Sequence, residues 1–130
     1  SRIDALWLIQ DQTVITEQSI QFILATTLDA KVPVFAFSTT VVQQGALGAL
    51  VVDAADAGRQ AGHIGKRLLK KEPMKGPRFV SPEKIELALN LNVASYLDLK
   101  PTDQVVRAAG KIFSGPGSFA KREANEALIP

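Results

Sequence analysis

Short apolar runs alternate three times with segments of helical periodicity in the first half of the sequence. The runs cover residues 3–9, 34–37 and 47–52, and each ends at a small polar or acidic residue. Continuous apolar runs of this length are typical of strands that are buried on both faces of a parallel sheet. The alternation therefore predicts an α/β fold: a Rossmann-like or flavodoxin-like three-layer lobe with a mostly parallel sheet.

The helical segments follow the runs directly. Apolar residues recur at helical spacing over residues 13–30, with Asp11, Thr13 or Thr16 as the N-cap. A short turn over residues 41–44 ends at Gly45, and residues 54–71 form the clearest helix.

The second half of the sequence carries weaker signals. Residues 79–80 and 85–89 are suited to short strands, and residues 92–97 and 101–109 to helices. The Gly-rich and Pro-rich stretch that follows Phe113 is typical of a linker. We therefore predict one ligand-binding lobe over residues 1–113 and a flexible tail over residues 114–130.

Composition excludes several classes of function. The 130 residues carry 15 basic and 13 acidic side chains, a balance that does not favour a nucleic-acid partner. The densest basic cluster lies in the last turns of the clearest helix, where cations complement the helix dipole, and this explanation is favoured over a phosphate-binding patch. Cysteine is absent, which excludes disulfides, thiolate zinc sites and a cysteine nucleophile.

The sequence gives little support for nucleotide binding, a metal site or a catalytic triad. The sequence has neither a GxGxxG nor a Walker pattern, so a phosphate-binding loop is not expected. Its one histidine, His63, falls in the middle of a predicted helix, away from the strand ends. We therefore expect no cofactor, no metal and no serine-histidine-acid triad.

Polar residues that follow the three predicted strands are the candidates for ligand contact, because ligands of parallel sheets bind beyond the carboxyl ends of the strands. Asp11 or Asp53 can accept hydrogen bonds from an amine, and a helix that begins at Thr13 or Thr39 can bind a carboxylate. This combination suits a zwitterion. In the alternative interpretation the same side chains only cap the helices that they precede. The predicted ligand-binding residues are Asp11, Gln12, Thr13, Ser38, Thr39 and Asp53.

The order of these motifs resembles that of the substrate-binding proteins of ABC importers, especially the tryptophan and tyrosine binders. Three stretches carry the resemblance, over roughly residues 3–113: IDALWLIQDQTV, then KVPVFAFSTTVVQQGALGALVVDAADAGRQAG with its continuation HIGKRLLKKE, and ALNLNVASYLDLK. The resemblance implies a periplasmic binding protein type 1 fold, of which this chain is the carboxyl-terminal part. It also implies an amino-acid-like or related organic ligand in a cleft between two lobes, with Asp11, Thr13, Ser38 and Asp53 at that cleft.

The resemblance further implies an ABC permease as partner and a periplasmic or extracytoplasmic location, which includes anchoring as a membrane lipoprotein. We expect no enzyme activity. Two alternatives stay open: a ligand-sensing domain of a membrane receptor or regulator with the same fold, and a small α/β enzyme that uses Asp11 and Asp53. An unpaired edge of the sheet would favour a homodimer.

Overall fold

The protein is described by a computed structural model that covers residues 2–73, 75–77 and 79–114, together with the backbone of 119–121. The chain divides into two compact units. The larger unit consists of Ser1–Val51 and Leu87–Pro130, and the smaller unit is Val52–Glu86.

Six strands form one sheet in the order β1-β2-β3-β4-β5-β6. Strand β1 pairs parallel with β2, β2 with β3 and β4 with β5, whereas β5 and β6 are antiparallel. The predicted mostly parallel α/β sheet is thus confirmed. The strands are β1 (Leu6–Trp7), β2 (Val34–Ala36), β3 (Gly48–Val52), β4 (Ile85–Asn90), β5 (Ala109–Phe113) and β6 (Phe119–Lys121).

Five helices connect the strands: α1 (Glu17–Asp29), α2 (Thr39–Gln44), α3 (Ala54–Leu69), α4 (Leu91–Tyr96) and α5 (Asp103–Ala108). Each overlaps a predicted helix within a few residues. Strand β5 was not predicted, because five residues with a glycine and a lysine show little apolar pattern. The predicted strand at Phe79 and Val80 is absent, and the Phe79 side chain is 91% exposed, with little packing to hold an extended segment.

The segment predicted as a flexible tail is described only in part. Strand β6 lies within it and extends the sheet beside β5. Residues 115–118 and 122–130 lie outside the described residues, so flexibility there stays a prediction.

Helix α1 begins at the third of its candidate caps. The Thr16 hydroxyl accepts the Ser19 N–H at 3.1 Å, and the Ser19 hydroxyl accepts the Thr16 N–H at 2.8 Å, a reciprocal capping box. The helix buries Ile20 and Leu24. It cannot begin at Thr13, because Asp11 and its successors form a separate turn in which the Asp11 carbonyl accepts the Ile15 N–H at 2.7 Å.

The core of the larger unit lies between the sheet and helices α1 and α2. Both helices connect neighbouring parallel strands, and such crossovers are right-handed, so they lie on the same face of the sheet. Alternate strand residues point toward them. The buried cluster includes Leu8, Leu24, Val34, Ala36, Val42, Ala49 and Ala88.

Candidate functional site

The carboxyl ends of β1 and β2 lie at the same edge of the larger unit, because the two strands are parallel neighbours. Asp11, Gln12 and Thr13 follow β1, and Ser38 and Thr39 follow β2. The structure therefore brings five of the six predicted ligand-binding residues to one edge of one unit.

Asp11 is held in a turn by its own neighbour. Its Oδ1 accepts the Thr13 backbone N–H at 2.8 Å and the Thr13 hydroxyl at 2.6 Å. These two hydrogen bonds stabilise the carboxylate and hold the pKa of Asp11 below its usual value. Asp11, Gln12 and Thr13 are all exposed, so the loop presents a charged acceptor to solvent.

Ser38 caps helix α2. Its Oγ accepts the Val41 N–H at 3.3 Å, and its carbonyl accepts the Val42 N–H at 3.2 Å. Thr39 is the first residue of the helix and is half-buried. Helix α2 thus begins at Thr39 as expected, with Ser38 as its cap. The expectation that α1 begins at Thr13 is wrong, because the Thr16 hydroxyl is the one that accepts a free N–H group of the first turn.

Asp53 lies in the smaller unit and caps helix α3. Its Oδ1 accepts the Asp56 N–H at 3.0 Å, and its Oδ2 lies 2.9 Å from the Lys84 ammonium. The hydrogen bond from Lys84, followed by that from Asp56, lowers the pKa of Asp53 to about 2. The same contact raises the pKa of Lys84. An amine is therefore already paired with this carboxylate, and an amino ligand at Asp53 would compete with Lys84.

Two residues that were not predicted from the sequence, Lys84 and Asn90, form contacts at the ends of strands. Lys84 directly precedes β4 and pairs with Asp53, 31 positions earlier in the chain. Asn90 ends β4 and is 5% exposed; its Oδ1 accepts the Asn92 and Val93 N–H groups at 3.1 Å, and its Nδ2 donates to the Val42 carbonyl at 2.8 Å. An asparagine just before a helical run is an N-cap signal that could have identified Asn90.

The described residues bear on three other features: a metal site, the one histidine and a membrane-spanning helix. Over that part of the chain, no group of three or more His, Cys, Asp or Glu side chains could hold a metal ion. His63 is exposed on helix α3. Within the same residues, no helix has the length and apolar character needed to cross a membrane.

Each unit carries a cavity of its own. The smaller unit has a cleft of about 400 Å³ along α3, lined by Arg59, His63 and Arg67 among others. The larger unit has an apolar groove of about 680 Å³ on its sheet, lined by Trp7, Phe35 and Leu50 among others. Neither contains the predicted ligand-binding residues.

The fold and the sequence were compared with known proteins. Three solved structures share the fold. A conserved domain protein from Vibrio cholerae is 26% identical with a TM-score of 0.57, and the match covers 85% of this chain and 36% of that one. The ABC domain of a Streptococcus pneumonia protein in complex with L-Trp is 23% identical with a TM-score of 0.61, covering 86% and 37%.

The third is the ligand-free, open form of a substrate binding protein with adhesive properties from Clostridium difficile. It is 20% identical with a TM-score of 0.63, and the match covers 78% of this chain and 34% of that one. The chain thus spans about a third of the length of these solved proteins. No curated protein sequence matches the chain.

A family model described as ABC transporter substrate binding protein matches residues 1–113, which is most of the chain. The match covers all five parallel-sheet strands and all five helices described above. The resemblance inferred from the motifs is thereby confirmed, and the chain belongs to the family of ABC transporter substrate binding proteins.

Proposed function

We propose that this chain is the carboxyl-terminal, ligand-binding part of a two-lobed solute-binding component of an ABC importer. It takes a small amino-acid-like or related organic ligand in a cleft between lobes and delivers it to a permease on the extracytoplasmic side of the membrane. It acts by binding and hinge closure, without chemistry of its own. The family match over residues 1–113 is the observation that carries this proposal.

The edge of the larger unit supports the proposal at residue level. Asp11 is exposed and its turn keeps the carboxylate charged, so it can accept hydrogen bonds from a ligand amine. Gln12, Thr13, Ser38 and Thr39 lie at the same edge and supply further polar groups. Asp53, in the smaller unit, is the remaining candidate ligand contact.

The first experiment measures ligand binding by the full-length parent protein with isothermal titration calorimetry against the common amino acids, L-Trp included. Asp11→Asn removes the charge but keeps an acceptor for Thr13, so the turn is preserved. We expect at least about tenfold weaker binding, since a charge-assisted hydrogen bond contributes about 1.5–3 kcal/mol.

Asp29→Asn is the matched control. Asp29 is exposed at the end of α1, far along the helix from the strand-end turn, and its replacement changes the net charge equally. Binding should be unchanged in this variant. A parent that binds none of the amino acids or related solutes would contradict the ligand class, and equal effects of the two substitutions would remove Asp11 from the site.

A sensing role is the second candidate, because the same fold serves importers and receptors alike. The two are separated by what the full-length gene encodes outside these residues. A neighbouring permease gene favours import, whereas a signalling or DNA-binding module in the same polypeptide favours sensing.

Strand β1 lies at one edge of the sheet, and pairing of two copies through it stays a prediction, to be checked by light scattering.

A further inference from the structure

The cleft of the smaller unit, which we call the α3 cleft, is lined by basic side chains from two segments. Arg59, His63 and Arg67 are spaced four positions apart, so they project from one side of helix α3. Lys75 lines the same cleft from the loop that follows the helix. These side chains converge on a space of about 400 Å³, which lies within the size range of small-molecule sites.

The helix dipole accounts for only part of this cluster. Arg67 lies in the last turn of α3, where the carboxyl end of the helix stabilises a cation. Arg59 lies in the second turn and His63 in the middle of the helix, whereas the dipole acts only within the terminal turns. Lys75 lies outside the helix. The position of these three side chains therefore needs another explanation.

Contacts within the smaller unit hold the two walls of the α3 cleft together. The Gln60 Nε2 donates to the Ser81 carbonyl at 3.0 Å, and the Gln60 Oε1 accepts the Glu83 N–H at 3.2 Å. At the end of the helix, the Arg67 Nε lies 3.4 Å from the Glu72 Oε2. Both contacts keep the segment that follows α3 against the helix, so the smaller unit forms the cleft by itself.

The charges that line the α3 cleft favour an anion. Asp56 and Glu83 also line it, and the Asp56 Oδ1 lies 2.7 Å from the Arg59 Nη2, so this carboxylate is already paired. Among the described lining residues, three lysine and arginine cations face two carboxylates. The balance is therefore one positive charge, and protonation of His63 adds a second.

The hydrogen-bond donors of the α3 cleft suit a phosphate group. Within the described part of the chain, Arg59 pairs with Asp56 through Nη2 and Arg67 pairs with Glu72 through Nε, which leaves other guanidinium N–H groups for a ligand. A phosphate group offers three acceptor oxygens to such donors, whereas a carboxylate offers two. Arginine binds phosphate through two parallel charge-assisted hydrogen bonds.

We infer that the α3 cleft is a binding site for a phosphate group, carried either by a free phosphate compound or by a phospholipid headgroup. None of the residues proposed to contact the transported solute lines this cleft. The inference therefore does not depend on which solute is bound.

The test measures binding of radiolabelled inorganic phosphate to the full-length parent by equilibrium dialysis. Ionic strength is kept constant, because salt screens surface charges. Arg67→Gln and Lys75→Gln each remove one cation from the α3 cleft. Lys66→Gln is the matched control, since it removes the same charge from the neighbouring position of α3 and Lys66 does not line the cleft. Asp11→Asn, in the larger unit, is a second control.

We expect saturable binding that is at least about tenfold weaker in Arg67→Gln and in Lys75→Gln, because each loses a charge-assisted hydrogen bond. Both controls should bind phosphate as the wild type does. Lys75→Gln keeps the test valid if loss of the pair with Glu72 prevents Arg67→Gln from folding. Equal weakening in Lys66→Gln and the cleft variants would overturn the inference, because it would indicate attraction by overall charge.

Sedimentation with phosphatidylglycerol vesicles, compared with phosphatidylcholine vesicles, identifies the source of the phosphate group. Vesicle binding that is weakened by the same two cleft variants, without binding of inorganic phosphate, would assign the site to a lipid headgroup. Binding of inorganic phosphate alone would assign it to a free phosphate compound. Absence of both kinds of binding would overturn the inference.

Discussion

The two carboxylate oxygens of Asp53 have different roles. It caps α3 through Oδ1 and pairs with Lys84 through Oδ2. The cap was an open alternative from the sequence, because an aspartate before a helix is a common N-cap. The ion pair was not predicted, because Lys84 is 31 positions away and no local pattern marks it as the partner of Asp53.

The first prediction follows from the pKa of Asp53. A lowered pKa, from 3.8 to about 2, stabilises the folded state above pH 3.8, and that contribution is lost as the pH falls toward about 2. Asp53→Asn keeps the cap but not the charge. The urea midpoint of the wild-type protein should therefore exceed that of Asp53→Asn at pH 7, and the difference between the two midpoints should narrow steadily between pH 4 and pH 2.

Lys84→Gln gives the control for this pair. In the Lys84→Gln background, Asp53→Asn should have a smaller effect at pH 7, because the ammonium that stabilises the carboxylate is gone. The raised pKa of Lys84 predicts that the contribution of the pair is also lost as the pH rises above the usual lysine value. A gap between wild type and Asp53→Asn that is constant from pH 7 to pH 2 would contradict the assignment.

At the scale of elements, α1 shows how one helix divides its residues between core and solvent. Leu24 is 3% exposed within the core cluster, and Phe22, two positions earlier, is 71% exposed. Leu24→Ala should destabilise the protein by about 2–5 kcal/mol through lost burial and a residual cavity. Phe22→Ala should change the free energy of unfolding by less than about 0.5 kcal/mol. Urea denaturation of both variants checks the pair, and similar losses would mean that the Phe22 side chain is packed.

Asn90 connects three elements, since it ends β4, caps α4 and donates to the last turns of α2. Asn90→Ala removes the cap and one of two donors to the Val42 carbonyl, which keeps the Gly45 N–H at 3.2 Å. We expect a loss of about 1.5–2.5 kcal/mol, from about 1 for the cap and about 0.5–1.5 for the lost hydrogen bond to Val42. Ser38→Ala removes only a cap and should cost about 1 kcal/mol. Equal losses in the two variants would show that the Asn90 contact with Val42 contributes nothing.

For the whole molecule, the order of the strands determines on which face of the sheet the connecting helices lie. Neighbours in sequence are neighbours in the sheet from β1 to β6, so the helices of the larger unit that join β1 to β3 share one face. Among the described residues the opposite face has no such helix, and the Trp7 and Leu50 side chains are exposed there. The proposed ligand binding, tested at Asp11, concerns instead the carboxyl edge of the sheet.

Sequence reasoning succeeded where the signal is local. Three apolar runs and the helices between them were predicted, and the caps at Thr16 and Asp53 were among the alternatives, because periodicity and capping depend on residues within about four positions of each other. The family, too, could be inferred from the order of these motifs. Strand β5 was not predicted, because its extended conformation is stabilised by pairing with β4 and its own five residues show no strand pattern.

Only the tertiary structure decided which partners these residues meet. It paired Asp53 with Lys84, brought the Asn90 side chain to the Val42 carbonyl of α2, and left Trp7 and Leu50 exposed on the sheet. Such contacts join residues tens of positions apart, and their existence depends on the path of the backbone between them. An apolar run thus predicts a strand from its own composition, whereas the covering of its two faces depends on every element that packs beside it.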